Sequence, residues 1–140
     1  YGMGSLYTSL CPSLVLRGMG EAIAARPVPK ILILNSWADR ESEGYSAADT
    51  VEAVVEALNR VHARTGGAST PPLQHPVPAY VTAVVVPRGG SVFRGEADAQ
   101  RLQRMGVSAV VEVEAEDAGN GRVRYLPSAL VDALEDIIGR

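Results

Sequence analysis

Two stretches of this chain are apolar at consecutive positions: Ile31-Leu32-Ile33-Leu34 after Lys30, and Val81 with Ala83-Val84-Val85-Val86. A strand with one wet face alternates apolar and polar residues, so an unbroken short run implies cover on both faces. Helices packed on both faces of a sheet supply that cover, and helical patterns stand in the right places. Ser46 and Asp49 make a capping-box-like start, in which the hydroxyl takes one orphan amide and the carboxylate answers it. Val51, Val54, Val55, Leu58 and Val61 then share one helical face, up to Gly66-Gly67. A further helix is expected over Glu96 to Met105, leading to a third strand at Ala109 to Val113. Strand, loop and helix repeated in this order make an α/β fold with a Rossmann-like, mostly parallel sheet flanked by helices.

The remaining segments are shorter. Leu6 to Leu16 is apolar but interrupted by Pro12 and reads as a helical turn. Gly18 to Arg26 reads as a short helix ending before Pro27. Residues 65–78, rich in Gly, Ser, Thr and Pro, read as a flexible surface loop. Asn120-Gly121 is a hairpin signal, expected to pair Glu112-Val113 with Val123 to Tyr125. A last helix spans Pro127 to Ile138, with Gly139 as its stop.

With 46% hydrophobic and 21% charged residues, the 140 residues suit one domain with a real core. Net charge is −3, which gives no basic footprint for nucleic acid, so an acidic ligand must be held by local donors. No apolar run approaches a membrane span. The single cysteine, Cys11, excludes an internal disulfide framework. It reads as a small core residue in a reducing, intracellular compartment, cytoplasm or plastid stroma. The opening Tyr1-Gly2-Met3-Gly4-Ser5 carries a glycine pattern that normally follows a strand. The expectation is therefore an incomplete domain, residues 1–140 being the C-terminal part, whose partner is a missing N-terminal segment of the same protein. A homodimer is left open.

In open α/β sheets ligands bind outside the carboxyl ends of the strands, which directs attention to the loops Gly2 to Ser9, Asn35 to Ser46 and Pro87 to Arg94. In the first, Gly2 and Gly4 let amides approach an anion while Ser5, Thr8 and Ser9 supply hydroxyls near a helix start. The spacing is neither Gly-x-Gly-x-x-Gly nor a Walker motif, and a tight strand-to-helix turn is an equally good account. In the second, Asn35 and Trp37 directly follow a buried strand. Arg40 is placed to clamp a phosphate, and Asp39 and Glu41 to hold magnesium or a ribose hydroxyl; a solvated charged loop is the competing account. His62 and His75 have no partner spacing and read as structural or solvated. Arg88 and Arg94 border the same edge, and Arg122 and Arg124 stand before the last helix, where an anion could sit or where an exposed hairpin edge simply ends.

Taken together, Gly2-Met3-Gly4-Ser5-Leu6-Tyr7-Thr8-Ser9-Leu10 with Pro12, Gly18 and Glu21-Ala22-Ile23, then Ile33-Leu34-Asn35 and Gly44-Tyr45-Ser46-Ala47-Ala48-Asp49, resemble the CofD-like family. That family includes the 2-phospho-L-lactate transferase CofD and the YvcK-type gluconeogenesis factors. Asp39-Arg40-Glu41-Ser42 is closer to its plant and fungal members than to the bacterial Gly-Glu-Thr-Asp-Gly form. The resemblance spans the chain, specific in the opening motif and diffuse after Tyr80. It implies a Rossmann-like fold, with Gly4, Ser5 and Thr8 around a ligand phosphate and Asn35, Asp39 and Glu41 on the cleft rim. It implies either a nucleotide-diphosphate or nucleotide-sugar binding protein that regulates carbon metabolism, or a magnesium-dependent transferase. The transferase would move a phospho-acyl group from a nucleoside-diphospho donor to an alcohol. Two features depart from the family pattern. Its other Gly-rich loop is not found here, and the bacterial Arg-His-Asp run is replaced by Arg124-Tyr125-Leu126, so only the arginine is represented. A structural half-domain without separate activity completes the set of readings.

Overall fold

A computed structural model describes residues 1–60 and 71–139. Three strands, β1 (Ile31–Ile33), β2 (Ala83–Pro87) and β3 (Ala109–Val113), form a parallel sheet in chain order. Leu32 lies opposite Val84 and Val84 opposite Val110. The helices are α1 (Cys11–Leu14), α2 (Met19–Ala24), α3 (Ala47–Arg60), α4 (Glu96–Arg104) and α5 (Pro127–Ile138). The expected α/β architecture is thus the observed one.

The period-2 side-chain rule divides the core in two. Leu32, Leu34, Val84 and Val86 point to the face covered by α1, α3 and α4, where Val51, Val54, Leu58 and Leu102 complete a continuous apolar cluster. Ala83 and Val85 point to the opposite face, packed by Ile137, Leu130 and Leu134 of α5. Only β2 is buried at all five positions. Ile31 and Ile33 are half-buried, which corrects the reading of β1 as covered on both faces: α5 lies against β3 and only partly shields β1. The strand runs also contract. Tyr80 to Thr82 precede β2 rather than belong to it, because a 3₁₀ turn at Val77–Ala79 delivers the chain there. Tyr80 is buried, its hydroxyl donating to Asn59 Oδ1 of α3 at 2.9 Å.

Leu6 to Leu16 folds as a π-helical turn, Leu6–Leu10, running straight into α1. Pro12 does not break it, because it falls in the first turn of α1, where a missing N–H is harmless. Cys11 is buried, as expected. Gly20 on α2 is required by packing, since a Cβ there would stand 2.6 Å from the carbonyl oxygen of Leu58. Val61, His62, Gly66 and Gly67, and residues 65–70 of the predicted loop, lie outside the described residues. His75, within them, is tied to α3: its N–H donates to Asn59 Oδ1 and its carbonyl accepts from Asn59 Nδ2.

The predicted hairpin exists but in a different register. Its arms are β4 (Ala115–Gly119) and β5 (Arg122–Tyr125), with Ala115 opposite Tyr125 and Asp117 opposite Val123. Glu112 and Val113 are instead paired with Val86 and Pro87 in the main sheet. Asn120 (φ 56°) and Gly121 (φ 72°) supply the two left-handed residues that the tight turn needs. The Tyr125 hydroxyl, its one proton shared between the carbonyls of Leu34 (2.8 Å) and Val85 (3.0 Å), lays the hairpin over the carboxyl ends of β1 and β2. Among the described residues no helix is long and apolar enough to cross a membrane.

Candidate functional site

The carboxyl end of the sheet gathers the opening turn, the loop after β1 and the hairpin. Asn35 leaves β1 and donates through Nδ2 to the carbonyl of Gly4 at 3.0 Å, so the first two candidate loops meet directly. Gly4 lies close to the turn that follows: a Cβ there would stand 3.1 Å from Ser9 Cβ, a tight contact. Ser5 starts the π-helical turn, its carbonyl accepting from both Ser9 N–H (2.9 Å) and Leu10 N–H (3.1 Å).

The loop after β1 folds back as a 3₁₀ turn at Arg40–Ser42, capped by Asp39. Asp39 Oδ1 accepts from Ser42 N–H (3.1 Å) and from Ser42 Oγ (2.7 Å). The turn packs against the opening π-helical turn. The Ser5 hydroxyl beside it, and then Ser42, hold the Asp39 carboxyl below the usual aspartate value. Proximity is all that Ser5 achieves. Its Oγ lies outside hydrogen-bond geometry with Asp39 and is buried without any partner among the described residues, a state that natural folds avoid unless something else fills it.

Between these segments lies a narrow cleft of about 30 Å³, bordered by Gly4, Asn35, Ala38, Ser42, Tyr45 and Val92. That volume admits one or two water molecules. The cleft is too small to enclose a ligand of nucleotide size. Beside it, a second hollow of about 170 Å³ runs between Met3, Asn35, Trp37 and the hairpin residues Val123, Arg124 and Tyr125.

The structure thus brings Gly4 and Asn35 to one crevice, with Ser5 and Asp39 in the segments beside it. Gly2, Thr8 and Ser9 are exposed on the opening segment, and Arg40 and Glu41 on the 3₁₀ turn. Arg124 borders the second hollow next to Asn35, with its guanidinium on Glu116 of the neighbouring strand at 2.6 Å. Its side chain is 72% exposed, so that pair is readily exchanged. Asp39 and Glu41 are the two expected metal carboxylates. Among the described residues no group of three or more His, Cys, Asp or Glu gathers around a common point.

The third loop acts as scaffold. Ser91 N–H donates to the carbonyl of Ser36, and Arg94 Nη2 to the carbonyl of Gly44 at 2.5 Å. The Arg88 side chain makes a long, exposed contact with Glu114 at 3.8 Å.

Three positioning residues escaped the sequence reading. Ser36 Oγ donates to the carbonyl of Val123 at 2.6 Å, Tyr125 pins the hairpin, and Asp98 holds the start of α3. Asp98 stands in the first turn of α4, where an acidic residue looks like an ordinary helix-dipole partner; the sequence offers no signal that its acceptors serve a different helix.

The family model described as 2-phospho-L-lactate transferase CofD matches residues 1–126. A gluconeogenesis factor of Listeria innocua is 28% identical over 138 residues, covering 95% of this chain and 38% of that protein. A putative gluconeogenesis factor of Nostoc is 41% identical over 54 residues, 38% of this chain and 12% of the other. An uncharacterized protein of Saccharomyces cerevisiae is 34% identical over 61 residues, covering 43% of this chain and 14% of its own length. The chain thus spans well under half of each of these curated relatives. No solved structure matches it significantly.

Proposed function

This chain belongs to the 2-phospho-L-lactate transferase CofD family, and on that premise we propose that it binds a nucleoside diphosphate or nucleotide-sugar, whose diphosphate lies across the mouth of the cleft between Gly4-Ser5 and Asn35 to Ser42. One observation carries the reading: Ser5 Oγ is buried, unpartnered and placed at the meeting point of the two loops. A small opening of the turn would present that hydroxyl to a phosphate oxygen and satisfy it. With a net charge of −3 the chain offers no general attraction for anions, so local donors must supply the binding. Arg40, exposed on the 3₁₀ turn and without an ion pair among the described residues, is free to close on the diphosphate. Exposed Thr8 and Ser9 add hydroxyls on the opening side.

The donor set fits magnesium in one form. Ser42 already occupies Asp39 Oδ1, so the protein has one or two carboxylates to give, not a cage. Magnesium is commonly held in that way, by one or two carboxylates together with substrate phosphates and water. Asp39 and Glu41 would hold the ion, which would neutralise the diphosphate charge that those carboxylates otherwise repel.

The names of the bacterial relatives, gluconeogenesis factors, favour binding that regulates carbon metabolism. The description of the family itself, 2-phospho-L-lactate transferase, favours group transfer, and the corresponding reading is transfer of a phospho-acyl group from a nucleoside-diphospho donor to an alcohol. Calorimetric titration of the full chain with pyrophosphate, uridine and guanosine diphosphates and their sugar conjugates, with and without magnesium, tests the shared premise. The expected result is saturable binding of the diphosphates, tightened by magnesium. An absence of heat with every ligand in both conditions would sink it and leave a structural role. Among binders, turnover with an added alcohol identifies the transferase, and inert binding the regulator.

A further inference from the structure

Tyr1 is bonded as part of the sheet. Its nitrogen donates to the Ile31 carbonyl at 2.6 Å, and its own carbonyl accepts from Ile33 N–H at 3.1 Å. That pair of bonds is one step of a parallel ladder, and it sets Tyr1 opposite Leu32 on the edge of β1 away from β2. The side chain follows the same register. Directly opposed residues of a sheet point to one face, and Tyr1 packs with Leu32 in the cluster under α1, α3 and α4. Its hydroxyl donates to the Tyr80 carbonyl at 2.7 Å. Further along this edge, toward the start of β1, lies a hollow of about 400 Å³ between the strand and α2, bordered by Tyr1, Ala22, Ile23, Val28, Pro29 and Ile31.

We propose that this hollow is the slot for a further β-strand, parallel to β1 and running into Tyr1 from its amino side, its occupant being the segment of the same protein directly ahead of Tyr1. The ladder already sets the register. Leu34 N–H and the Lys30 carbonyl are turned to β2, so the amides of Ile31 and Ile33 are turned to the outer edge. Tyr1 takes the second of these. Ile31 N–H, one step earlier, faces the hollow, where the carbonyl of the residue two positions ahead of Tyr1 would accept it. The composition of β1 agrees. Ile31-Leu32-Ile33 is the unbroken apolar pattern of an interior strand, and as an open edge it would offer an apolar template to any other chain. The Tyr1 nitrogen agrees as well. As an ammonium it is partly buried, and desolvation holds its pKa below the ordinary amino-terminal value. A peptide N–H makes the same bond to Ile31 with no charge to desolvate. A strand from a second copy would compete with Tyr1 for the edge, whereas a strand continuous with Tyr1 extends its bonds. Alternation then gives the segment its character: the residue directly ahead of Tyr1 points to the α5 face beside the half-buried Ile31 and Ile33, and the one before it to the face of Tyr1. The turn from Gly2 to Ser5 would thus leave a strand end held in the sheet, which steadies one side of the cleft whether or not a diphosphate binds there.

In the protein at its natural length, amide exchange resolved by nuclear magnetic resonance should find Ile31 N–H protected together with Ile33 and Leu34, exchanging on the order of 100-fold or more slowly than a solvent-exposed amide. Ile31→Pro should lower the urea midpoint well below that of Ile31→Ala, because proline removes the bonded N–H from a strand that is no longer an edge. On an open edge proline would cost no bond. Should Ile31→Pro fail to fold, exchange in the parent protein decides alone. Ile31 N–H exchanging freely while Ile33 and Leu34 stay protected would overturn the added strand and leave an open edge. Protection of Ile31 that fades on dilution would assign the edge to a second copy and overturn it equally, as would an Ile31→Pro protein as stable as Ile31→Ala.

Discussion

The junction of α3 with α4 and the mouth of the cleft use the same kinds of residue to opposite ends. At the junction, Asp98 is 4% exposed, yet its oxygens accept from the amides of Ala47 (2.9 Å), Ala48 (3.2 Å) and Arg94 (3.3 Å). The predicted capping box forms beside it, Ser46 N–H donating to Asp49 Oδ2 at 2.8 Å and Asp49 N–H reaching Ser46 Oγ at 3.3 Å. Arg101 of α4 then bridges Asp49 (2.7 Å) and Glu52 (2.9 Å). Every polar group named there has a partner supplied by the protein. At the mouth, Ser5 Oγ is buried without one, Trp37 is held out to solvent, and Arg40 stands alone on its turn. The first region satisfies its own hydrogen-bonding groups; the second leaves open polar groups that the proposed diphosphate would satisfy.

Removing a partner should therefore damage the first region most. Asp98→Ala strands amides at the start of α3 and should destabilise the chain by about 2–4 kcal/mol, the sum expected for a lost cap and buried donors left unmet. Asp98→Asn, which keeps one acceptor oxygen, should lose less. Urea unfolding reads both. Equal stability of Asp98→Ala and the parent chain would mean that the junction is not the self-sufficient region described, and the contrast would collapse.

The next effect is smaller and falls on ligand rather than fold. Ser5→Ala removes a hydroxyl whose one effect on the fold is its nearness to the partly exposed Asp39 carboxylate, so the urea midpoint should shift little. Affinity for a nucleoside diphosphate should drop by about 1–3 kcal/mol, as for a lost charge-assisted bond, and Arg40→Ala should act alike. A Ser5→Ala chain that unfolds more easily while binding normally would place Ser5 in the first class of polar group and take it out of the cradle.

This division also separates what the sequence disclosed from what it concealed. The capping box, the cover of α3 by Val51, Val54 and Leu58, and the Asn120-Gly121 turn were legible because each is decided within a few residues. The register of the hairpin was not. Val113 and Val123 look like natural partners, but Val113 is already bonded opposite Pro87 in the sheet, and the true arm is the polar stretch from Ala115. The roles of Ser36, Asp98 and Tyr125 depend on partners 87, 51 and 91 residues away, and no local pattern marks them. The opening motif and the Asn35 to Ser42 loop were legible as a candidate site since they follow strand ends and resemble a known family. Their contact through Asn35 and Gly4 came only with the fold.

Acid should produce the smallest and most selective effect. The amide of Ser46, and then Arg101, hold the Asp49 carboxyl below its ordinary value, and Asp39 is lowered by Ser5 and Ser42. A carboxylate whose folded value is depressed contributes stability that is fully present above its unfolded value, near 4, and is lost as pH falls through the folded value. The urea midpoint should therefore decline below about pH 4, with no comparable change between pH 5 and 7 from these two groups. Both carboxylates are partly exposed, so the loss should be modest, and salt should reduce the Arg101 share of it. Asp49→Asn should flatten part of this decline, since the amide side chain no longer titrates; Asp39→Asn should flatten the remainder. The regions part company in ligand binding. Asp39→Asn removes a negative charge from beside the diphosphate, so it should tighten diphosphate binding without magnesium and weaken the gain that magnesium brings. Asp49→Asn should change neither. If Asp49→Asn altered diphosphate binding as much as Asp39→Asn did, the junction and the mouth would be one electrostatic unit, and the distinction between them would have to be abandoned.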